Sequence, residues 1–209
     1  EGHTDSTEIS LLRMRRIKSM ALTLLLSQGV PMLTAGDEFG FSQKGNNNVW
    51  CQDNETAWLN WTLVEQNKEL IRFFQHCIAL RKKHAVFRRE QFFSSEATPH
   101  STEIVWQGLQ PKTTNWTADC HYLAFLLNGR LMGDDHFFVM MNGSREKTAT
   151  FLLPGPPNDK KSESWHKIAN TAAPSPLDFV QLNDAERYEK GEFVEVQAMA
   201  VVVLQAPAA

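Results

Sequence analysis

Apolar positions in the first part of the chain recur at helical spacing in two segments. In residues 7–28 they fall largely on one face, and the stretch Met20–Leu26 is apolar nearly all round. This pattern predicts a helix that is pressed into a larger protein. Residues 66–84 show the helical spacing again and end in a run of positive charge, which the helix dipole favours at a C-terminus.

The pattern changes twice between these two helices. Residues 30–35 are a short apolar run with Pro31 near its start, which predicts a strand that is buried on both faces. Residues 41–64 then form a long connection without periodicity that contains three of the six tryptophans. Loops of this length are usually functional or disordered, and the tryptophans argue against disorder. Because one strand cannot form a sheet, we expect the neighbouring strands to lie elsewhere.

From about residue 87 the apolar period shortens to two, as in strands. Turn signals such as Asn128-Gly129 and Asn142-Gly143 separate six short candidates. The candidate strands are 104–106, 122–127, 137–141, 149–153, 193–196 and 200–204. We therefore predict an α/β part over residues 1–86 and an all-β domain, an antiparallel sandwich, over residues 87–209.

Composition narrows the function classes without identifying one. The chain carries a net charge of −3 with acidic and basic residues interspersed, so there is no electrostatic case for nucleic acid or an anionic membrane as partner. No apolar stretch approaches the roughly 20 residues of a membrane helix, and no secretory signal is visible. The three cysteines are an odd, sparse set that suits neither a disulfide framework nor a zinc site, which predicts a reducing compartment. Because the sequence does not begin with Met, we expect it to be processed or cut from something longer.

A long motif of rare residues narrows the interpretation. Residues 27–40 read Ser-Gln-Gly-Val-Pro-Met-Leu-Thr-Ala-Gly-Asp-Glu-Phe-Gly and resemble the eighth barrel strand of the α-amylase superfamily. Residues 45–61 read Gly-Asn-Asn-Asn-x-x-Cys-Gln-Asp-Asn-Glu-x-x-Trp-Leu-x-Trp and are similar to the loop of isoamylase-type glycogen and starch debranching enzymes. The likeness continues more weakly through the β half, at Trp106, Trp116 and Asn142.

The resemblance implies the C-terminal portion of a glycoside hydrolase. Residues 1–86 would be the last βα unit of a (β/α)8 barrel, and residues 87–209 a C-terminal β-sandwich. The implied reaction is hydrolysis of α-1,6 branch linkages in glycogen-like or starch-like glucans, by a retaining mechanism with two carboxylates about 5 Å apart. In the family the nucleophile, the acid and a stabilising Asp lie at the ends of strands four, five and seven. None of those motifs occurs here, so we expect no catalytic residue in this sequence and no activity of the chain alone.

The carboxylates after the predicted strand do not replace the missing ones. Asp37 and Glu38 are adjacent, so at a strand end their side chains diverge and cannot face each other across one sugar. We expect them to be structural or to line the edge of the substrate cleft. Asp53 and Glu55 lack the dense spacing of a calcium loop, so we predict no metal and no cofactor.

The loop offers further candidates for substrate binding, because loops after barrel strands lie at the face where active sites form. The amides of Asn46, Asn47 and Asn48 could bind glucose hydroxyls, or they could accept backbone N–H groups in Asx turns. Trp50 could stack on a sugar face or pack the loop onto the barrel.

For the remaining tryptophan and histidine side chains, structural positions are expected before functional ones. Trp58 and Trp61 are expected in the core. Trp106 and Trp116 are expected in the core of the sandwich, with a glycan-binding platform as the alternative. Solvated or capping positions are expected for four histidines: His76, His84, His121 and His136.

Two other functions stay open beside the hydrolase. One is a non-catalytic carbohydrate-binding module, and the other is a module that stabilises a barrel supplied by another chain. The predicted partners are an α-glucan and the missing N-terminal portion of the barrel, and neither nucleic acid nor a membrane is expected. The predicted compartment is the cytoplasm, or a plastid.

Overall fold

Three helices precede eight strands in the computed structural model, which describes residues 2, 4–93, 102–157 and 164–208. The helices are α1 Thr7–Leu26, α2 Thr62–Gln66 and α3 Lys68–Lys83. The strands are β1 Ile104–Gln107, β2 Tyr122–Leu127, β3 His136–Asn142, β4 Ala149–Leu152, β5 Ser164–Asn170, β6 Glu186–Glu189, β7 Phe193–Val196 and β8 Ala200–Ala206. Both long helices and the six predicted strands are confirmed to within two residues.

The strands form one large antiparallel sheet and a smaller ribbon. The large sheet has the order β1-β2-β3-β8-β5-β6, and the ribbon pairs β4 with β7. One apolar cluster lies between sheet and ribbon and includes Phe138, Phe151 and Trp165. A second cluster lies on the opposite face of the sheet, where Phe73 of α3 and Val203 of β8 join α1. The sheet is therefore the middle of three layers, because alternate side chains of each strand face the ribbon or the helices.

Two strands, β5 and β6, have no counterpart among the predicted ones. In β5 the pairing with β8 shifts register between Lys167 and Ala169, so the alternation of apolar and polar residues breaks in the middle of the strand. β6 is a polar edge strand in which Tyr188 is the sole apolar residue. Neither sequence carries the period-two signal, although β5 contributes the buried Trp165 to the core.

The strand predicted at residues 30–35 is not formed, and the α/β barrel unit predicted for residues 1–86 is represented by its helices alone. No strand pairing of the described residues includes this segment. Val30 is 97% exposed and Met32 is 88% exposed. The physical reason is that a strand needs hydrogen-bonding neighbours, and none is available beside this segment. The chain therefore has an apolar strand sequence without a sheet to join.

Arg81 fixes the path of the chain into this segment. Its guanidinium is buried and donates to the carbonyl oxygens of Leu25, Ser27 and Gly29 at 2.8, 2.6 and 2.5 Å. The Leu25 carbonyl belongs to the last turn of α1, where a helix leaves its acceptors unsatisfied, and Ser27 and Gly29 follow the end of the helix. The end of α3 thereby caps the end of α1, and the two helices run side by side in the same direction.

A buried ion cluster ties both helices to the sheet. Asp178, in the connection between β5 and β6, is fully buried and forms ion pairs with Lys18 of α1 and Arg72 of α3. The Arg72 guanidinium also donates to the carbonyl oxygens of Pro176 and Phe179. Because one carboxylate pairs with both cations, removal of Asp178 would leave the buried Lys18 ammonium without a counter-charge in the interior.

A second polar network joins the end of α3 to the sheet through His84, which is the C-cap residue of α3, one of the two positions expected for it, and is not solvated. The His84 side chain is buried, with Nδ1 2.6 Å from Asp134 Oδ1. Gln205 of β8 donates to Asp135 Oδ2 at 2.6 Å and lies next to the same histidine ring. His136 is also buried rather than solvated, and its Nδ1 accepts the backbone N–H of Gly129.

Candidate functional site

A tight turn follows the unpaired segment and begins the candidate loop. Residues Asp37–Phe39 form one 3-10 turn between Gly36 and Gly40, which adopt φ values of 101° and 72°. Those left-handed conformations favour glycine. A side chain at Gly36 would also lie 2.7 Å from the Phe41 Cβ. Phe39 is buried, and its carbonyl oxygen accepts the Asn67 amide at 2.8 Å, so the turn is attached to the start of α3.

Asp37 and Glu38 hold this turn together. The Asp37 carboxylate accepts the backbone N–H of Thr34 at 3.1 Å, and the Glu38 carboxylate accepts that of Gly36 at 3.0 Å. Both oxygens therefore bond within their own turn. This geometry favours the structural reading of the pair over a facing pair of reacting carboxylates.

The asparagines of the loop mostly bond to their own backbone. Asn46 Oδ1 accepts the N–H of Asn48 at 3.0 Å, and Asn48 Oδ1 accepts the N–H of Trp50 at 3.1 Å. These are successive Asx turns, in which the oxygen is occupied while the amide N–H groups keep their capacity to donate. Asn47 lies between them and is exposed.

The tryptophans of the loop face solvent, which contradicts the core positions expected for two of them. Trp50 is 91% exposed, Trp58 57% and Trp61 67%. Trp58 donates its indole N–H to Asp53 at 2.8 Å, and the Trp61 ring lies 5.7 Å from the ring of Phe39. The spacing next to a helix start predicted burial, but none of the described elements covers the outer side of the loop.

A second exposed aromatic pair lies at the edge of the large sheet, where core tryptophans were expected. Trp106 on the edge strand β1 is 41% exposed, and Trp116 in the following loop is 67% exposed. Their ring centroids are 6.0 Å apart with an interplanar angle of 70°. The core position in the sandwich belongs instead to Trp165, which donates to the Pro154 carbonyl at 2.8 Å. The polar neighbours of Trp116 in sequence, Asn115 and Thr117, are a signal from which a surface position could have been predicted.

An open groove of about 360 Å³ adjoins this pair, and we name it the edge groove. Its lining includes Asn115, Trp116, Thr117, His121, Leu123 and Met141. Leu123 and Met141 are paired neighbours on β2 and β3 and form its floor on the helix-facing side of the sheet.

Within the part of the chain that the structure describes, no three His, Cys, Asp or Glu side chains come close enough together to hold a metal ion. None of the helices in that part combines the length and the apolar character needed to span a bilayer. The cysteines are free thiols, with Cys51 exposed and Cys77 buried.

Comparison with known proteins places this architecture in a family. The family model described as "Isoamylase 1-3, C-terminal" matches residues 105–206. A Mycobacterium tuberculosis protein named "Glycogen operon protein GlgX homolog" is 35% identical over 191 residues, which cover 83% of this chain and 26% of that protein. The chain belongs to the isoamylase-type family of debranching enzymes.

Within this isoamylase-type family, the similarity extends to plants and to solved structures. Isoamylase 1 of Arabidopsis thaliana, a chloroplastic protein, is 31% identical over 90% of this chain and 22% of its own length. A pullulanase of Paenibacillus barengoltzii, solved with maltotetraose, is 26% identical with a TM-score of 0.63 over 97% of this chain and 26% of that one. The chain thus spans about a quarter of the length of the relatives it matches.

Proposed function

We propose that this chain is the C-terminal part of a glycoside hydrolase that cleaves α-1,6 branch linkages in glycogen-like glucans. The relatives named above are debranching proteins and a pullulanase, and the pullulanase was solved with a maltooligosaccharide. In this proposal residues 1–86 complete a (β/α)8 barrel and residues 87–209 form its C-terminal domain. The reaction would be retaining, with a nucleophile and an acid that come from preceding strands of the barrel.

The observation that carries the proposal is the unpaired segment at residues 30–35. Val30 and Met32 are almost fully exposed, although both belong to an apolar run that lies between two helices. Met20 of α1 is 70% exposed, although it lies in a stretch that is apolar nearly all round. A row of strand-like residues with free edges on both sides fits a place beside other strands, because pairing would satisfy its backbone and cover its side chains.

The accessible surface of the chain is also larger than that of a compact monomer of the same mass, as the proposal requires. The accessible area is 13095 Å², whereas a compact monomer of 23.8 kDa exposes about 9,900 Å². An excess of about a third is large enough to supply one side of an extensive contact with the rest of a barrel.

The loop at residues 41–61 would then line the edge of the glucan cleft. Trp50 offers an open aromatic face for a sugar ring, and Asn47 and the amide groups of Asn46 and Asn48 offer hydrogen-bond donors for hydroxyls. Asp37 and Glu38 would act by fixing the turn that orients this loop. The chemistry itself would belong to carboxylates outside this chain, so the chain alone should be inactive.

The test is complementation. We expect the purified chain to release no maltooligosaccharide from glycogen. Release should appear when the chain is mixed with, or fused to, the part of the M. tuberculosis relative that precedes its matching region. Hydrolysis by the chain alone would overturn the assignment of the carboxylates. Failure of a folded, mixed or fused pair to cleave branches would overturn the assignment as the missing part of a barrel, and would leave a non-catalytic carbohydrate-binding module as the function.

A further inference from the structure

We infer that the β-sandwich carries a second glucan-binding surface, formed by Trp106, Trp116 and the edge groove. This surface is distinct from the loop at residues 41–61, because it is built on β1, β2 and β3 of the sheet. The assignment of the ligand as an α-glucan, among carbohydrates, rests on the proposed function. The existence of the surface rests on the geometry of the sandwich alone.

The chemistry of the edge groove fits a neutral ligand with many hydroxyl groups. Among the described side chains that line it, none is an Asp, Glu, Lys or Arg. Asn115, Thr117 and His121 offer hydrogen-bonding groups, while Trp116 and Leu123 offer apolar surface. Phosphate-bearing or acidic ligands would need cationic partners, and the groove supplies no lysine or arginine. A sugar, with a rim of hydroxyls and an apolar C–H face, matches this combination.

The angle between the two rings favours a curved chain over a flat one. Trp106 and Trp116 are 6.0 Å apart and inclined by 70°, so they cannot support two coplanar sugar rings. Successive units of an α-linked glucan are turned relative to each other because the axial linkage bends the chain. A β-1,4-linked glucan such as cellohexaose is a flat ribbon and would contact one ring at most.

The surface is formed before any ligand arrives. Asn115 Oδ1 accepts the N–H of Thr117 at 3.0 Å, and the N–H of Cys120 donates to the Thr117 carbonyl at 3.0 Å. Trp106 lies on a paired strand with its ring 5.3 Å from that of Phe125. Binding would therefore order little of the protein, which favours affinity for a ligand that makes few contacts.

The edge groove and the candidate loop are both connected to the helices. α1 and α3 run in the same direction, and the turn that begins the candidate loop is attached to the start of α3 through Asn67. Arg15 of α1 donates to the carbonyl of Ala198, just before the start of β8, and the groove residue Met141 pairs with the second residue of β8. The start of β8, next to the groove, therefore lies beside the middle of α1, and the candidate loop begins at the start of α3. One branched glucan that reaches both would gain from avidity.

The test measures binding of maltoheptaose and cellohexaose to the full chain by calorimetry, and retardation of the chain in gels that contain glycogen. We expect maltoheptaose to bind and cellohexaose not to bind. Trp116→Ala should raise the Kd for maltoheptaose about tenfold and abolish most of the retardation. Trp116→Phe, which keeps an aromatic face, should retain part of the binding.

The matched control is Phe193→Ala, because Phe193 is 60% exposed but lies on the ribbon strand β7. Thermal unfolding of each variant verifies that the fold is intact. Unchanged glucan binding in a folded Trp116→Ala chain would overturn the inference, and so would equal binding of both oligosaccharides. These readouts need no hydrolysis, so a failure here is separate from a failure of complementation. If Trp116→Ala instead weakens association with the preceding segment and leaves glucan binding unchanged, the pair is an internal contact and the inference is wrong.

Discussion

Single side chains decide where the helices of this protein end. Arg81 is the main example, since one buried guanidinium binds the Leu25 carbonyl in the last turn of α1 and the Ser27 and Gly29 carbonyls that follow the helix. Arginine suits this position because its planar fork presents several donors at once and stays charged. A helix end of this kind depends on a residue 52 to 56 positions away, which no local capping signal reveals.

We expect Arg81→Met to destabilise the protein by about 2–4 kcal/mol, because the variant keeps the packing of the side chain but removes charged hydrogen bonds from buried acceptors. Urea unfolding followed by circular dichroism measures the loss. Lys82→Met is the matched control, since Lys82 is exposed on the same helix turn and its substitution should change stability by less than about 0.5 kcal/mol. Equal stability of both variants would show that the cap contributes little.

At the scale of elements, polar networks join α3 to the connection between β2 and β3. Burial by itself would raise the pKa of the Asp134 carboxyl, but hydrogen bonds from the Val86 N–H, the His84 ring and the Asp135 N–H outweigh it and hold the pKa below its usual value. A lowered pKa in the folded state stabilises the protein above the ordinary aspartate pKa of about 3.9. This contribution is lost as the pH falls through the folded-state value.

Asp134→Asn should therefore lower the unfolding free energy by about 1–3 kcal/mol at pH 7. The difference from wild type should narrow as the pH falls below the ordinary aspartate pKa of about 3.9 and through the lower folded-state value, because the wild-type carboxyl then takes up its proton. Urea titrations across this range provide the measurement. Asp184→Asn, at an exposed position, should follow the wild-type pH profile. A difference that stays constant with pH would mean that Asp134 acts through shape rather than through its charge.

The same scale shows how far sequence reasoning reaches. The helices and six strands follow from periodicity, because α1, α3 and strands such as β3 and β8 each bury one regular face or lie wholly in the core. β5 was missed because a register shift at Lys167 and Ala169 interrupts its alternation. Residues 30–35 carry a strand sequence that stays unpaired, because pairing depends on partners and not on propensity.

For the candidate site, local motifs identified the loop but not the exposure of its side chains. Trp58 and Trp61 are exposed although their spacing indicated a core position. Trp106 and Trp116 are also exposed, although they were expected in the core of the sandwich. Burial of a tryptophan depends on which elements cover it, and that information is tertiary. The Asx turns at Asn46 and Asn48 could be anticipated because they involve neighbours two residues away.

At the scale of the whole molecule, we expect residues 30–35 to contribute little to the stability of the chain alone but to be needed for its assembly with other strands. In the chain alone Met32 is exposed and outside any ladder, so Met32→Pro should change the unfolding free energy by less than about 0.5 kcal/mol. In a complemented enzyme the same residue would lie within a central strand, where proline removes a ladder hydrogen bond. We therefore expect Met32→Pro to abolish the glycogen hydrolysis that complementation restores. Met32→Leu should preserve both properties, and hydrolysis that survives Met32→Pro would exclude a strand at this position.

The hydrogen bond from Arg81 to the Gly29 carbonyl affects how another strand would pair with residues 30–35. The chain is anchored at Gly29, before the apolar run, and again at the buried Phe39 just after it. A segment pinned at both ends has already given up much of its conformational freedom, so less entropy remains to be lost when another strand pairs with it than for a loose peptide. The two anchors therefore hold residues 30–35 between fixed ends, and part of the entropy cost of strand pairing is already met before a partner strand binds.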